Sequence, residues 1–419
     1  MTSAHYFHRL LNMGLRGMTL VGKFVLLFFL AKYLAPQDVG LYGLLVVTIA
    51  YATYPLGLDF YAYSSREIIR IEPKGRGRVF KNQLALHGWL YVIALPLLLL
   101  IFYFDFLSWQ MAPWFFVLVV LEHACQEMMR LLIALEKQLV ASITLFVRQG
   151  LWACVVIVLM ALDPEYRQFS NVLMAWVAGA TAAVIMSAFA LVKALGGGGF
   201  LSEAVDWRWI RRGLRVAIPM FIGTISLNFV TSVDRYWFES LQGREMLGGY
   251  VFFMSISAAM MSFLEAGVFF FMYPSIVAAH SAGNEDLFRS NLRKMLVQTV
   301  VLAVAFALGV LLCIDWILLL LQRDVYFGMK SILYVFLLAM IFQALSYIPH
   351  YALYAQGRDR AIVGAHVLSV PVFILAVWLT ARWDAFYAVP VGGGVAYIFM
   401  LLYKYCAYRY PAARAEVLR

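Results

Sequence analysis

Five polar or ionisable residues interrupt one apolar stretch of the chain, Glu122, His123, Gln126, Glu127 and Arg130 within residues 112–134. On a helix, His123, Glu127 and Arg130 fall at i, i+4 and i+7 and share one face. Ionisable groups in an apolar medium cost a few kcal/mol or more unless paired or wet, so that face must look into a bundle or a cavity. Two readings stand side by side, a structural Glu127–Arg130 pair and a group that handles a proton or a substrate. The string Glu122-His123-Ala124-Cys125-Gln126-Glu127 is not the His-Glu-x-x-His of a zinc site. Lys23 and Arg148 stand in other apolar stretches, where Arg148 could either snorkel to the surface or bind an anion. With Arg130 they are the cations suited to an anionic substrate, whereas His123, Glu127 and Asp234 are the groups suited to a coupling or cavity charge. Asp59, Arg66, Arg235 and Glu265 are further cavity candidates. The four cysteines, Cys125, Cys154, Cys313 and Cys406, stand singly without metal or redox spacing. No metal, cofactor or catalytic set is expected.

The elements that must position these residues are membrane helices. Hydrophobic residues make up 64% of the chain and charged residues 13%, against about 45–50% and 25% in soluble domains. A crossing needs about 20 mainly apolar residues, and about twelve stretches qualify: 14–34, 42–64, 84–104, 112–134, 143–162, 171–192, 216–236, 247–270, 296–320, 331–353, 361–381 and 387–407. The fold class is therefore an all-α polytopic membrane protein. Placing both termini inside puts most lysines and arginines in cytoplasmic segments. Among them are Arg9 and Arg16, the run from Arg66 to Lys81, Arg208 to Arg215, and Arg414 and Arg419. The positive-inside rule is then satisfied, so the net charge of +10 is a topology signal and not a sign of nucleic-acid binding. With no short apolar run ahead of a small-residue cleavage site, the first helix is expected to stay as a span; with the N-terminus inside and no organelle address visible, a bacterial inner membrane is the expected location.

The chain reads as a duplication. Gly40-x-Tyr42 follows the first span and Gly248-x-Tyr250 follows the seventh, and Ala134-Leu135-Glu136-Lys137 echoes Ala355-Gln356-Gly357-Arg358. This divides the chain into an N-lobe of six helices (1–195), a linker opening on Gly196-Gly197-Gly198-Gly199 (196–212), and a six-helix C-lobe (213–419). An even number of crossings gives parallel repeats related by a pseudo-twofold along the membrane normal, with the binding site expected between them. On this alignment Lys23 matches Thr231, one turn from Asp234, so two readings stand: Lys23 and Asp234 pair across a central cavity, or Asp234 and Arg235 sit at the outer membrane interface.

The run Phe29-Leu30-Ala31-Lys32-Tyr33-Leu34-Ala35-Pro36-Gln37-Asp38-Val39-Gly40-Leu41-Tyr42, with Gly57-Leu58-Asp59 followed by Arg66 and Ser232-Val233-Asp234-Arg235-Tyr236, resembles the Wzx-type oligosaccharide-lipid flippases of polysaccharide (O-antigen) biosynthesis. These belong to the multidrug/oligosaccharidyl-lipid/polysaccharide (MOP) exporter superfamily. The resemblance implies a substrate, an undecaprenyl-pyrophosphate-linked oligosaccharide moved from the inner to the outer leaflet by alternating access. Proton, sodium or potential coupling would fit, and a polysaccharide polymerase would be a natural partner for the single chain. A MATE-like exporter of cationic drugs is the alternative within the superfamily. A membrane polysaccharide polymerase or ligase is the alternative of another class, though the sequence holds no Asp-x-Asp pair and non-enzymatic transport is the expectation.

Overall fold

The computed structural model describes residues 3–410, apart from the side chains of residues 3–10, 12, 13, 16, 200, 201, 227 and 230. Arg414 and Arg419, and the side chains of Arg9 and Arg16, lie outside the described residues. The chain is helical nearly throughout, with no strand among the described residues. In order the helices are α1 (Ser3–Tyr33), α2 (Pro36–Gly57), a short α3 (Tyr61–Arg70), α4 (Arg76–Leu98), α5 (Ala112–Ala134), α6 (Gln138–Leu162), α7 (Phe169–Ala194), α8 (Trp207–Leu264), α9 (Phe270–Ser281), α10 (Glu285–Leu321), α11 (Lys330–Ala355), α12 (Asp359–Ala381) and α13 (Ala385–Arg409). Their outward faces carry large apolar side chains, such as Val92, Ile93 and Leu97 on α4 and Leu312, Trp316 and Leu319 on α10. In water such faces would be costly. In lipid they are the expected exterior of a multi-pass membrane protein.

Contacts divide the chain into two units, Met1–Leu34 with Tyr42–Ile225, and Ala35–Leu41 with Ser226–Arg419. The division falls at Ile225/Ser226, inside α8, whereas the glycine run was expected to mark it.

Three segments differ from the sequence expectation for identifiable reasons. The stretch between the expected spans 14–34 and 42–64 is mostly helical, since α2 begins already at Pro36, because proline suits the first position of a helix and Asp38 suits its first turn. The expected span 42–64 ends early, at Gly57, because Leu58 and Asp59 take left-handed φ values of 48° and 51°. The gap between the expected spans 216–236 and 247–270 holds a single non-helical residue, Gly243 at φ 83° and ψ 170°, inside an otherwise helical run. Beyond it the helix continues through a π-helical turn, Glu265–Phe269, into α9, so this span reaches past residue 270.

The second unit's crossing glycine is explained by close approach. A Cβ on Gly248 would lie 2.2 Å from the Pro36 carbonyl oxygen, and one on Gly40 would lie 2.7 Å from that of Arg244. The two glycines aligned by the duplication thus sit at one helix crossing, where backbone meets backbone. The second echo is also structural. Glu136 and Gly357 close α5 and α11 at φ 61° and 67°. Lys137 N–H donates to Leu132 O at 2.8 Å and Arg358 N–H to Leu353 O at 2.9 Å, the same left-handed C-terminal motif.

In the first unit, the segment after the glycine run is docked. Gly196 and Gly197 take φ 84° and 104°, and a 3-10 turn, Gly198–Ser202, follows. Arg78 pairs with Asp206 at 3.1 Å, Asn82 Oδ1 accepts from Asp206 N–H at 2.9 Å, and Lys81 donates to Glu203 O. Phe60, Tyr63 and Trp209 pack ring against ring over a core that includes Ile68, Val79 and Leu131.

Candidate functional site

Helix α5 serves two polar sites with two of its faces, both within the first unit. Glu122 and Gln126, one turn apart, line a cavity of about 220 Å³ together with Lys23 of α1, Thr53 and Tyr54 of α2, Arg148, Gln149 and Trp152 of α6, and Trp176 of α7. A π-helical turn, Val147–Leu151, carries Arg148 and Gln149. Such bulges re-aim side chains and recur at functional sites. Lys23 is open to the cavity and donates to Gln149 Oε1 at 2.9 Å. Arg148 is buried, its Nε 3.4 Å from Glu122 Oε2. Glu122 Oε1 accepts from Trp176 Nε1 at 2.7 Å, and Trp152 stacks on Trp176 with centroids 5.8 Å apart at 9°. Arg148 Nη1 is buried without a hydrogen-bond partner. The cavity's one acid is therefore engaged, and two cations leave it with a surplus positive charge.

The other face of α5 meets α2, α3 and α4. Glu127 accepts from Arg130 Nη1 at 2.5 Å and from Gln83 Nε2 at 2.8 Å, and the Arg130 guanidinium lies 3.6 Å over the Tyr61 ring. His123 Nδ1 is 2.7 Å from the Tyr91 hydroxyl, and its ring lies 4.9 Å from that of His87. The structural Glu127–Arg130 pair thus forms, and the same face assembles a larger buried cluster around it. Asp59 belongs to this neighbourhood, buried at the break after α2, close enough for its charge to act on Glu127.

In the second unit, Asp234 is buried. Its oxygens accept from Arg235 Nη1 at 3.1 Å and from the Tyr250 hydroxyl at 2.8 Å. A cavity of about 20 Å³ beside it is lined by Thr231, Tyr250, Phe336, Phe373 and Tyr397, among others. Asp234 and Lys23 each find a polar partner inside their own unit. Arg66 is exposed on α3 and Glu265 is exposed at the start of its π-helical turn; neither lines these cavities.

Gln83, His87, Tyr91, Gln149, Trp152 and Trp176 escaped the sequence reading as site residues, and Tyr250 was read only as part of a turn motif. A signal existed for three of them, since Gln83, His87 and Tyr91 recur every four residues and form one polar stripe on α4. Trp152 and Trp176 had none, being indistinguishable from lipid-facing aromatics.

No protein-family model and no curated protein matches the sequence. Solved structures do match. A multidrug resistance MATE family transporter of the MOP superfamily, in its inward-facing conformation, aligns over 94% of this chain and 94% of its own with TM-score 0.74 at 12% identity. Lipid II flippase MurJ, in an inward closed conformation, aligns over 96% of this chain and 88% of its own with TM-score 0.73 at 12% identity. A point mutant of a MATE protein gives TM-score 0.62 at 12% identity over 96% of this chain and 93% of its own. With its two lobes of apolar helices, the chain has the transporter fold found in MATE and MurJ.

Proposed function

We propose that this protein is a flippase that moves a polyprenyl-pyrophosphate-linked oligosaccharide from the inner to the outer leaflet of a bacterial inner membrane, with both termini cytoplasmic. The observation that carries the reading is the cavity beside α5, in which Lys23 is open and a buried Arg148 nitrogen lacks a partner. A diphosphate leaving water needs cations and hydrogen-bond donors to replace its hydration, and this cavity supplies both. The Trp152–Trp176 stack adds an aromatic wall of the kind that packs against sugar faces. At about 220 Å³ the cavity is smaller than the roughly 300–1,000 Å³ of drug-sized pockets. It suits the charged core of a headgroup, and the sugars require it to widen during alternating access. The resemblance at Gly40-x-Tyr42 and Asp234-Arg235 and the fold of MurJ support a lipid substrate.

The second reading, export of a cationic drug, is favoured by the MATE neighbours and by Glu122 in the same cavity. Arg148 and Trp176 already engage that carboxylate, so the electrostatics favour an anion. The deciding experiment reconstitutes the full chain into liposomes with a fluorescent lipid-linked oligosaccharide and follows leaflet accessibility under proton, sodium or potential gradients. Gradient-sensitive inversion that Lys23→Ala abolishes at normal protein abundance supports the flippase. Transport of lipophilic cations with no inversion of the lipid establishes the exporter instead.

A further inference from the structure

Lys404 of α13 stands within two turns of the helix end, yet it is 1% exposed, so its ammonium does not snorkel to the surface. The ammonium lies 6.0 Å from the centroid of the Tyr347 ring, the outer limit of a cation–π contact. It makes no ion pair and no hydrogen bond among the described residues. Two imidazoles stand close enough for its charge to act on them, His350 of α11 and His366 of α12. Their centroids are 6.3 Å apart, and His366 Nδ1 is buried without a partner. Glu265 acts on Tyr347 and Tyr351 but is exposed and makes no ion pair with Lys404. The second unit therefore encloses a cation with donors beside it and no counter-charge.

We propose that Lys404, His350 and His366 form a binding site for a phosphate group, presented by the headgroup of an anionic lipid or by a free phosphate anion. A lysine so enclosed must shed its proton or gain a counter-ion. The unpartnered imidazole nitrogen beside it favours the counter-ion, because an anion satisfies both groups at once. The ammonium brings the charge and three donors, and each imidazole serves as a neutral ring with one N–H to donate. Neither ring has to take up a proton. Arg358, Arg360 and Arg409 stand at the same ends of α11, α12 and α13, a basic rim that raises the local concentration of anions. Basic pockets between helix ends on the cytoplasmic side hold lipid headgroups. That side follows from the cytoplasmic termini of the reading above; the site itself does not rest on that reading.

The surroundings leave a way in. His350 and His366 are half-buried above the enclosed Lys404. Tyr347 stacks on Phe269 at 5.2 Å and on His350 at 5.5 Å, and Tyr273 stacks on Tyr351 at 5.9 Å. These rings make one apolar flank, against which the carbon skeleton of a lipid can lie while its phosphate meets the lysine. Phe269 closes the π-helical turn Glu265–Phe269, a distortion of the kind that re-aims side chains at functional sites. Lys404, His350 and His366 line neither of the two cavities described above.

The test uses the full-length protein in maltoside micelles and phosphate-free buffer, so that no phosphate is present at the start. Nitrogen NMR of 15N-labelled histidine, assigned with His350→Gln and His366→Gln, follows the two rings as phosphatidylglycerol or inorganic phosphate is added at constant ionic strength. Both rings should shift and the shift should saturate at a single affinity. A response to phosphatidylglycerol alone assigns the site to a lipid headgroup, and a response to inorganic phosphate alone assigns it to the free anion. No saturable shift with either probe would overturn the site. Lys404→Met replaces the stem without its charge and should weaken binding at least about tenfold, the loss of one charge-assisted hydrogen bond. Unchanged affinity would overturn the part given to Lys404. Should that variant not fold, the parent titration still decides the site. No readout involves transport, so failure of the flippase reading and failure of this site are seen separately.

Discussion

Arg148 is the residue at which stability and recognition separate. Its guanidinium faces Glu122 at 3.4 Å while Nη1 is unpartnered, so removing it strands a buried carboxylate and also strips the cavity of a donor. Arg148→Gln should destabilise the protein by up to about 3 kcal/mol. Adding Glu122→Gln should return stability to within about 1 kcal/mol of the parent without restoring lipid inversion. Thermal unfolding in nanodiscs measures the first effect and the liposome assay the second. Return of inversion along with stability would reduce Arg148 to a structural partner. At this scale the sequence was partly legible. Lys23, Arg148, His123 and Glu127 announce themselves as charges in apolar runs. Their partners Gln149, Trp176 and Gln83 do not, because a residue's neighbour across a bundle leaves no trace in its own spacing.

At the scale of elements, the chain carries one turn built twice with different residues. α5 ends on Glu136 and α11 on Gly357, each in the left-handed region with matching hydrogen bonds. A side chain there costs about 1–2 kcal/mol, so Glu136→Gly should stabilise the protein by about 1 kcal/mol. Gly357→Ala should destabilise it by a similar amount. Thermal unfolding of the two variants checks both signs, and a loss of stability in Glu136→Gly would mean that its side chain makes a contact outweighing the strain. The four-residue echo was readable because turn conformation is dictated locally. The break at Leu58-Asp59 and the π-helical turn at Val147–Leu151 were not readable, since neither is marked by Gly or Pro in a way that distinguishes it from a continuing helix. Such distortions survive only because surrounding packing holds them.

At the scale of the whole molecule, the segment after the glycine run matters because it is docked within the first unit. Asp206 lies outside the membrane spans, and its carboxyl is held below the usual carboxylate range, first by the Trp209 N–H and then by Arg78. A depressed folded value means that its contribution is fully present above the unfolded aspartate value of about 3.9. The contribution is lost as pH falls through the lower folded value. Hydrogen-exchange protection across residues 203–210, taken relative to the intrinsic rate at each pH, should therefore fall below about pH 4 in the parent. In Asp206→Asn it should already be low at neutral pH and change little on acidification. Equal, high protection in both would show that the Phe60–Tyr63–Trp209 packing alone holds the segment. The glycine run predicted a flexible tether, which the left-handed Gly196 and Gly197 permit; that the following residues dock depends on Arg78, Lys81 and Asn82 lying within reach.

The sequence by itself determined the membrane class, the helical fold, the placement of most spans and the twofold echo of its turns. Apolar run length, helix period and turn residues are local properties of a chain. Only the tertiary structure decided that α5 works with both faces, that His87 joins His123, that Asp234 is buried against Tyr250, and that Gly40 and Gly248 meet at one crossing. Each of these depends on which helices lie side by side, and that is settled by the packing of the whole bundle.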